Sequence, residues 1–245
     1  MRAVQVDLER SGQLGDTVRI MTTPLSVHEP TGGVKGGVIV VQEAFGVNEH
    51  IEDICERLAH EGWLAVAPHF YHRTGDPKFG YDNFLEVAPH MKVLKADDIL
   101  EDVDAGLAHL ADAGIAPSAT GIVGFCMGGT VALVVGARRQ IGAAVTFYGG
   151  GVTEGRFGFG PLVEEATHLR APWLGLFGDL DNGIPIESVE RLRLAAASSG
   201  VATEIVRYPE ADHGFNCDRR ASYNESAAHS AWQLTLAWFN AHLRS

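Results

Sequence analysis

From Val38 onward, apolar runs rich in β-branched residues alternate with segments of helical period. That alternation constrains the fold more than any other feature, because β-α-β succession builds a parallel sheet whose faces are covered by the intervening helices. The strand candidates are residues 38–42, 64–67, 121–124, 143–148, 173–177 and 203–208, with 4–8 and 17–22 as a short entry pair at the sheet edge. They predict an α/β fold with a mainly parallel central sheet of about eight strands and helices on both faces. No composition shift marks a boundary, so residues 1–245 read as one domain.

The helical segments fall between these strands. In 48–60, Ile51, Ile54, Cys55 and Leu58 share one face, Asn48 is the expected N-cap and Gly62 the terminator, so Cys55 reads as core. A second helix is expected over 91–113, with Val93, Leu100, Val103, Leu107 and Leu110 as its stripe and Asp97, Asp98, Glu101 and Asp102 on a solvated face. Helices over 186–199 and 222–243 complete the set, the last turning Trp232, Leu236 and Phe239 toward the sheet. Residues 69–89 and 149–168 carry no clear element and follow strand ends, where open parallel sheets place ligand sites.

Composition narrows the partners. A net charge of −12 with only 19 Lys and Arg, spread along the chain, argues against nucleic acid. The first nine residues hold no apolar core of signal-peptide length and no later run approaches a membrane span, so a cytoplasmic protein without a membrane partner is expected. Three cysteines without metal-ligand spacing agree with free thiols in a reducing compartment. Nothing in the sequence fixes an oligomeric state.

Cys126 stands in Gly124-Phe125-Cys126-Met127-Gly128, between an apolar strand and a helix-forming run. A nucleophile at a sharp strand-to-helix turn needs minimal side chains two positions either side, and glycine meets that need. A thiol also needs a base and an acid to orient it. Asp179 and Asp181 follow the strand at 173–177, and His213 follows the one at 203–208. Nucleophile, then acid, then histidine, each after its own strand, is the order of α/β-hydrolases. The residues leave Asp179 and Asp181 unseparated, while Asp212 is disfavoured by its adjacency to His213. In such a fold one oxyanion donor is the N–H after the nucleophile, Met127, and the other follows an early strand, here Ala44. That placement leaves Glu43 facing the thiol.

The segments Gln42-Glu43-Ala44-Phe45-Gly46-Val47-Asn48, Gly124 to Gly129, Gly178-Asp179-Leu180-Asp181 through Pro185, and Tyr208-Pro209 through Phe215 resemble the signatures of the dienelactone hydrolase family, in the same order, over nearly all of 35–243. The resemblance implies an α/β-hydrolase fold, Cys126 as nucleophile, His213 as base, Asp181 as its acid, and Ala44 and Met127 as oxyanion donors. It implies that Glu43 accepts the thiol hydrogen bond at rest and yields when substrate binds. Carboxymethylenebutenolide, an enol-lactone, is the substrate type it implies, with no cofactor.

Substrate is where the residues depart from that pattern. The family holds a substrate carboxylate with two arginines, one of them four residues after the histidine, and here that position is Cys217. Arg219 and Arg220 follow but are expected to project differently. The candidate pocket residues are Phe45, Tyr81, Phe84, Tyr148, Phe215 and Cys217. Three other readings compete: a general carboxylesterase or thioesterase with an apolar pocket, a non-catalytic redox-sensing thiol protein, and a metal hydrolase using His69 and His72. No metal ligand set is otherwise expected.

Overall fold

The computed structural model describes residues 22–82 and 84–244. Seven strands form one sheet among the described residues: β1 (Leu25–His28), β2 (Gly36–Val41), β3 (Trp63–Pro68), β4 (Thr120–Phe125), β5 (Ala143–Phe147), β6 (Trp173–Gly178) and β7 (Thr203–Tyr208). Their order is β1-β3-β2-β4-β5-β6-β7, with β1 antiparallel to β3 and every other pair parallel. The helices are α1 (Glu49–His60), α2 (Phe84–Lys92), α3 (Ala96–Asp112), α4 (Met127–Arg138), α5 (Leu162–Glu165), α6 (Ile186–Ala197) and α7 (Glu225–His242). No described helix is long and apolar enough to cross a membrane.

Strand pleating assigns the helices to faces. Paired residues of neighbouring strands share a face and successive residues alternate. Gly37 lies under Leu110 of α3 and Gly121 under Phe239 of α7. Since Gly37 pairs with Thr120, and Val38 with Gly121, α3 and α7 cover opposite faces. Gly136 of α4 packs on Ala144, the partner of Ile122, which puts α4 on the face of α3. The inner strands β2 to β6 are buried at every position, as continuous apolar runs covered on both sides require.

All six core strand positions expected from the sequence are occupied, within one or two residues at each end. The expected entry pair lies outside the described residues, apart from Thr22. The edge is instead held by Leu25–His28, a four-residue strand between Pro24 and Pro30 whose half-buried positions give no apolar run. Asn48 caps α1 as expected, its side chain accepting from the N–H groups of His50 and Ile51.

Two expectations are corrected. The helix expected over 91–113 is two helices, broken where Lys95 is extended at φ −127° and ψ 148°. Asp97 and Asp98 then occupy the first turn of α3, where the helix dipole favours acidic residues, and Val93 is left exposed. Asp102 is not on a solvated face but is fully buried. Its carboxylate accepts from Thr23 Oγ1 (2.6 Å) and Arg73 Nη1 (2.7 Å) and bonds His72 Nε2 (3.0 Å), pinning the segment after β3 onto α3.

Asp102→Ala removes the common partner of these three groups and strands a largely buried histidine. With the partial exposure of Arg73 discounted, the expected loss is roughly 2–4 kcal/mol in denaturant unfolding. A loss below about 0.5 kcal/mol, the level of an ordinary surface change, would contradict the anchoring role.

Candidate active site

Between β4 and α4 stands a single residue, Cys126, at φ 54° and ψ −113°. A non-glycine residue with positive φ is uncommon and strained, and it persists only where its surroundings over-determine it. Here they do. A β-carbon on Gly124 would collide with the Gly128 carbonyl, and one on Gly128 with the carbonyls of Val41 and Gln42. The Cys126 N–H donates to Phe147 O at 3.0 Å, and its carbonyl accepts from the Gly129 N–H at 3.0 Å. The backbone is thus fixed on both sides, and the thiol stands partly exposed at the C-terminal edge of the sheet.

His213 and Asp181 reach the same edge from the loops after β7 and β6. His213 Nδ1 lies 2.6 Å from Asp181 Oδ2, and Asp181 Oδ1 accepts from the Gly183 N–H at 2.8 Å. Asp179, which the residues could not separate from Asp181, is gripped by Arg207 at 2.7 and 2.8 Å and so faces away from the histidine. Burial works against a charged imidazole at 213. The Cys126 sulfur and the Asp181 carboxylate outweigh it and raise the His213 pKa to about 10.

Cys126, His213, Asp181, Ala44 and Met127 line one cleft of about 260 Å³. Met127 opens α4, where backbone N–H groups have no intrahelical acceptor. Ala44 is fixed by the Tyr71 hydroxyl, which donates to its carbonyl at 2.8 Å. Of the six candidate pocket residues, Phe84 lines this cleft. Phe45 and Tyr81 pack against each other at a tilt, their ring centroids 4.5 Å apart, while Tyr148, Phe215 and Cys217 are fully buried. Tyr148 packs 5.0 Å from the His213 ring. The remaining wall includes Met91 of α2, Ile184 from the loop after β6, and Phe157 and the cation Arg156 from the segment 149–168 that carried no clear element in the sequence.

Glu43 is 1% exposed and carries an ion pair that the sequence did not foretell. Arg220 Nη1 donates to its Oε1 at 3.2 Å, while Oε2 has no partner among the described residues. Arg220 therefore points inward, contrary to expectation. Its guanidinium lies 5.6–5.7 Å from the Tyr81 and Phe45 ring centroids and occupies the space over Gly214, at φ 80°, where a β-carbon would collide with it. Arg219 turns outward to Glu49. Beside Glu43 lies His50, 1% exposed, with neither ring nitrogen bonded; burial lowers its pKa and favours the neutral ring. His69 and His72, by contrast, are tied to Asp76 (2.8 Å) and Asp102 (3.0 Å), and among the described residues neither belongs to a group of three close ligating atoms.

Comparison with known proteins follows the same lines. The model of a family described as "Dienelactone hydrolase family" matches residues 25–243. A Yersinia pestis protein named "Putative carboxymethylenebutenolidase" is 44% identical over 210 residues, covering 84% of this chain and 78% of the relative. One of the same name from Escherichia coli K12 is 43% identical over 209 residues, covering 82% and 75%. The crystal structure of a "Putative Dienelactone Hydrolase" from Klebsiella pneumoniae subsp. pneumoniae MGH 78578 superposes with a TM-score of 0.82 at 42% identity, covering 89% of this chain and 92% of that one.

If the elbow is set by backbone crowding, Gly124→Ala must push the turn apart. It should cost at least about 2 kcal/mol in unfolding free energy and lower Tm by several degrees. A variant as stable as the parent would contradict the close approach.

Proposed function

The chain belongs to the dienelactone hydrolase family, and on that premise we propose that it cleaves small esters or lactones by acyl transfer to Cys126. Membership makes it a hydrolase of carboxylic ester bonds. The observation that carries the thiol reading is the strained turn at Cys126, which presents its sulfur to a histidine tethered at 2.6 Å to a buried carboxylate.

In this reading His213, oriented by Asp181, holds the proton released by Cys126. The thiolate attacks the ester carbonyl, and the developing oxyanion is met by the Ala44 and Met127 N–H groups. The imidazolium then protonates the departing alkoxide or enolate, and water, activated by the same histidine, hydrolyses the thioester. Glu43 has an unpartnered oxygen with which to accept the resting S–H bond, and Arg220 holds its other oxygen. No cofactor enters the scheme. A small-molecule ester or lactone is the partner it requires.

For the substrate, we favour an enol-lactone of the carboxymethylenebutenolide type, whose carboxylate would be met by Arg156 in the cleft wall. This differs from the arginine positions that the family pattern implies. A second reading, a general esterase or thioesterase, is supported by the apolar remainder of the wall: Phe84, Met91, Phe157 and Ile184.

Two outcomes are expected. Cys126→Ala should abolish turnover across a panel of lactones, aryl esters and thioesters while leaving the far-ultraviolet circular dichroism unchanged. Ranking the same panel by kcat/KM separates the two substrates, and turnover surviving in the variant would overturn the nucleophile. The second concerns pH. The His213 pKa is raised, so its imidazolium, the acid of the scheme, is present below about 10 and lost as the pH rises through it. The alkaline limb of kcat/KM should therefore lie above the ordinary imidazole range and move to lower pH in Asp181→Asn, which removes one of the raising interactions. An unmoved limb would contradict the coupling.

A further inference from the structure

The turns that carry Asp181 and His213 are laced to each other. The Asp179 N–H donates to Tyr208 O at 3.0 Å and the Leu180 N–H to Ala211 O at 2.9 Å. Asp181 follows directly on one side, and His213 lies two residues beyond Ala211 on the other. Gly178 lets the turns approach, since a β-carbon there would collide with the Ala211 carbonyl. The third link is made by side chains. Arg207, the penultimate residue of β7, grips Asp179 with Nε at 2.7 Å and Nη2 at 2.8 Å and turns Nη1 to Glu190 of α6 at 2.9 Å. Glu190 is held in turn by Arg193 Nε at 2.9 Å, and Arg193 Nη1 donates to Ile205 O of β7 at 2.7 Å.

We propose that Arg207 is a positioning residue for the hydrolytic reaction: through Asp179 it fixes the turn that aims the Asp181 carboxylate at His213. This rests on the reading of His213 as base and Asp181 as its orienting acid. β7 is the last strand of the sheet and pairs on one side only, so the turn after it depends on links back toward β6. A lone surface ion pair is worth little, but a two-pronged arginine–carboxylate contact within a chain of four charges is the geometry in which such pairs hold a shape. The same fork keeps a second carboxylate, two residues from Asp181, off the histidine.

Charge and position predict opposite signs. Among the described residues, the titratable groups that face His213 are the Cys126 sulfur, Asp181 and Tyr148, so Arg207 acts on the ring at second hand. Losing the cation and baring Asp179 would, by charge alone, favour the imidazolium and move the alkaline limb of kcat/KM to higher pH. Loosening the Asp181 tether weakens an interaction that raises the His213 pKa and moves the limb to lower pH.

In Arg207→Gln, and in Asp179→Asn, which keeps the shape of its side chain, the alkaline limb should move to lower pH. The expected fall in kcat is about 10-fold, within the roughly 100-fold that a 1 Å misplacement can cost, with KM little changed because neither residue lines the cleft. The double variant should be no worse than either single one, as two residues acting as a unit require. The tether can also be read without turnover. In Cys126→Ala protein the His213 Nδ1 proton should give a far-downfield NMR resonance, and adding Arg207→Gln should shift it upfield or broaden it by exchange with water. Turnover surviving in Cys126→Ala would overturn the nucleophile and leave that resonance in place, so the two failures are separable. A limb that stays or moves to higher pH in the folded variants, effects that multiply in the double variant, or a resonance indifferent to Arg207 would each overturn the positioning role.

Discussion

The close approach of backbone at Gly124 and Gly128 is the constraint from which the rest of the site follows. With no side chain at either position, β4 runs into α4 through one residue, and the strain that turn imposes falls on Cys126. Phe147 O and the first turn of α4 hold it there. The same geometry puts the start of α4 beside the sulfur, so the amide proposed to receive an oxyanion and the proposed nucleophile are positioned by a single turn. Neither position depends on loop flexibility.

The parallel sheet does the remaining assembly. Because β2, β4, β6 and β7 run in the same direction, their C-terminal ends share one edge, and Glu43, Cys126, Asp181 and His213 meet there from segments far apart in sequence. Beneath the histidine lies a layer of buried aromatic and polar groups: Tyr148, Phe215, Cys217, His50 and Glu43. Arg220 crosses that layer to reach Glu43 and sets its charge against the carboxylate. The cleft above is apolar apart from the proposed catalytic groups, Arg156 and Thr130.

Features that repeat along the chain were legible in the sequence, and features that depend on one side chain finding another were less so. Six strands and the cap at Asn48 are written in apolar runs and a single polar residue before a periodic stretch. The edge strand at Leu25–His28 is not, because half-buried edge positions need no apolar run. Asp102 reads as surface by composition, since an acidic neighbourhood gives no sign of Arg73, His72 and Thr23 arriving from other segments. Motif order brought Cys126, Asp181 and His213 together on paper. Residue spacing alone could not choose between Asp179 and Asp181; the difference is Arg207, 28 residues beyond Asp179, which claims one of the two. Arg220 and His50 were missed for the same reason. A residue three positions past Cys217 enters the site only because Gly214 leaves room for its guanidinium, and that turn at positive φ is a property of the folded loop.

The central claim is that the Cys126 sulfur carries the acyl group during turnover. Acid quench of the protein in the steady state with an activated aryl ester, followed by mass spectrometry of its peptides, tests it directly. The account predicts a mass increase of one acyl group, labile to hydroxylamine, on the peptide containing Cys126 and on no other. An acyl group on a different residue, or burst kinetics without any thioester on Cys126, would contradict it.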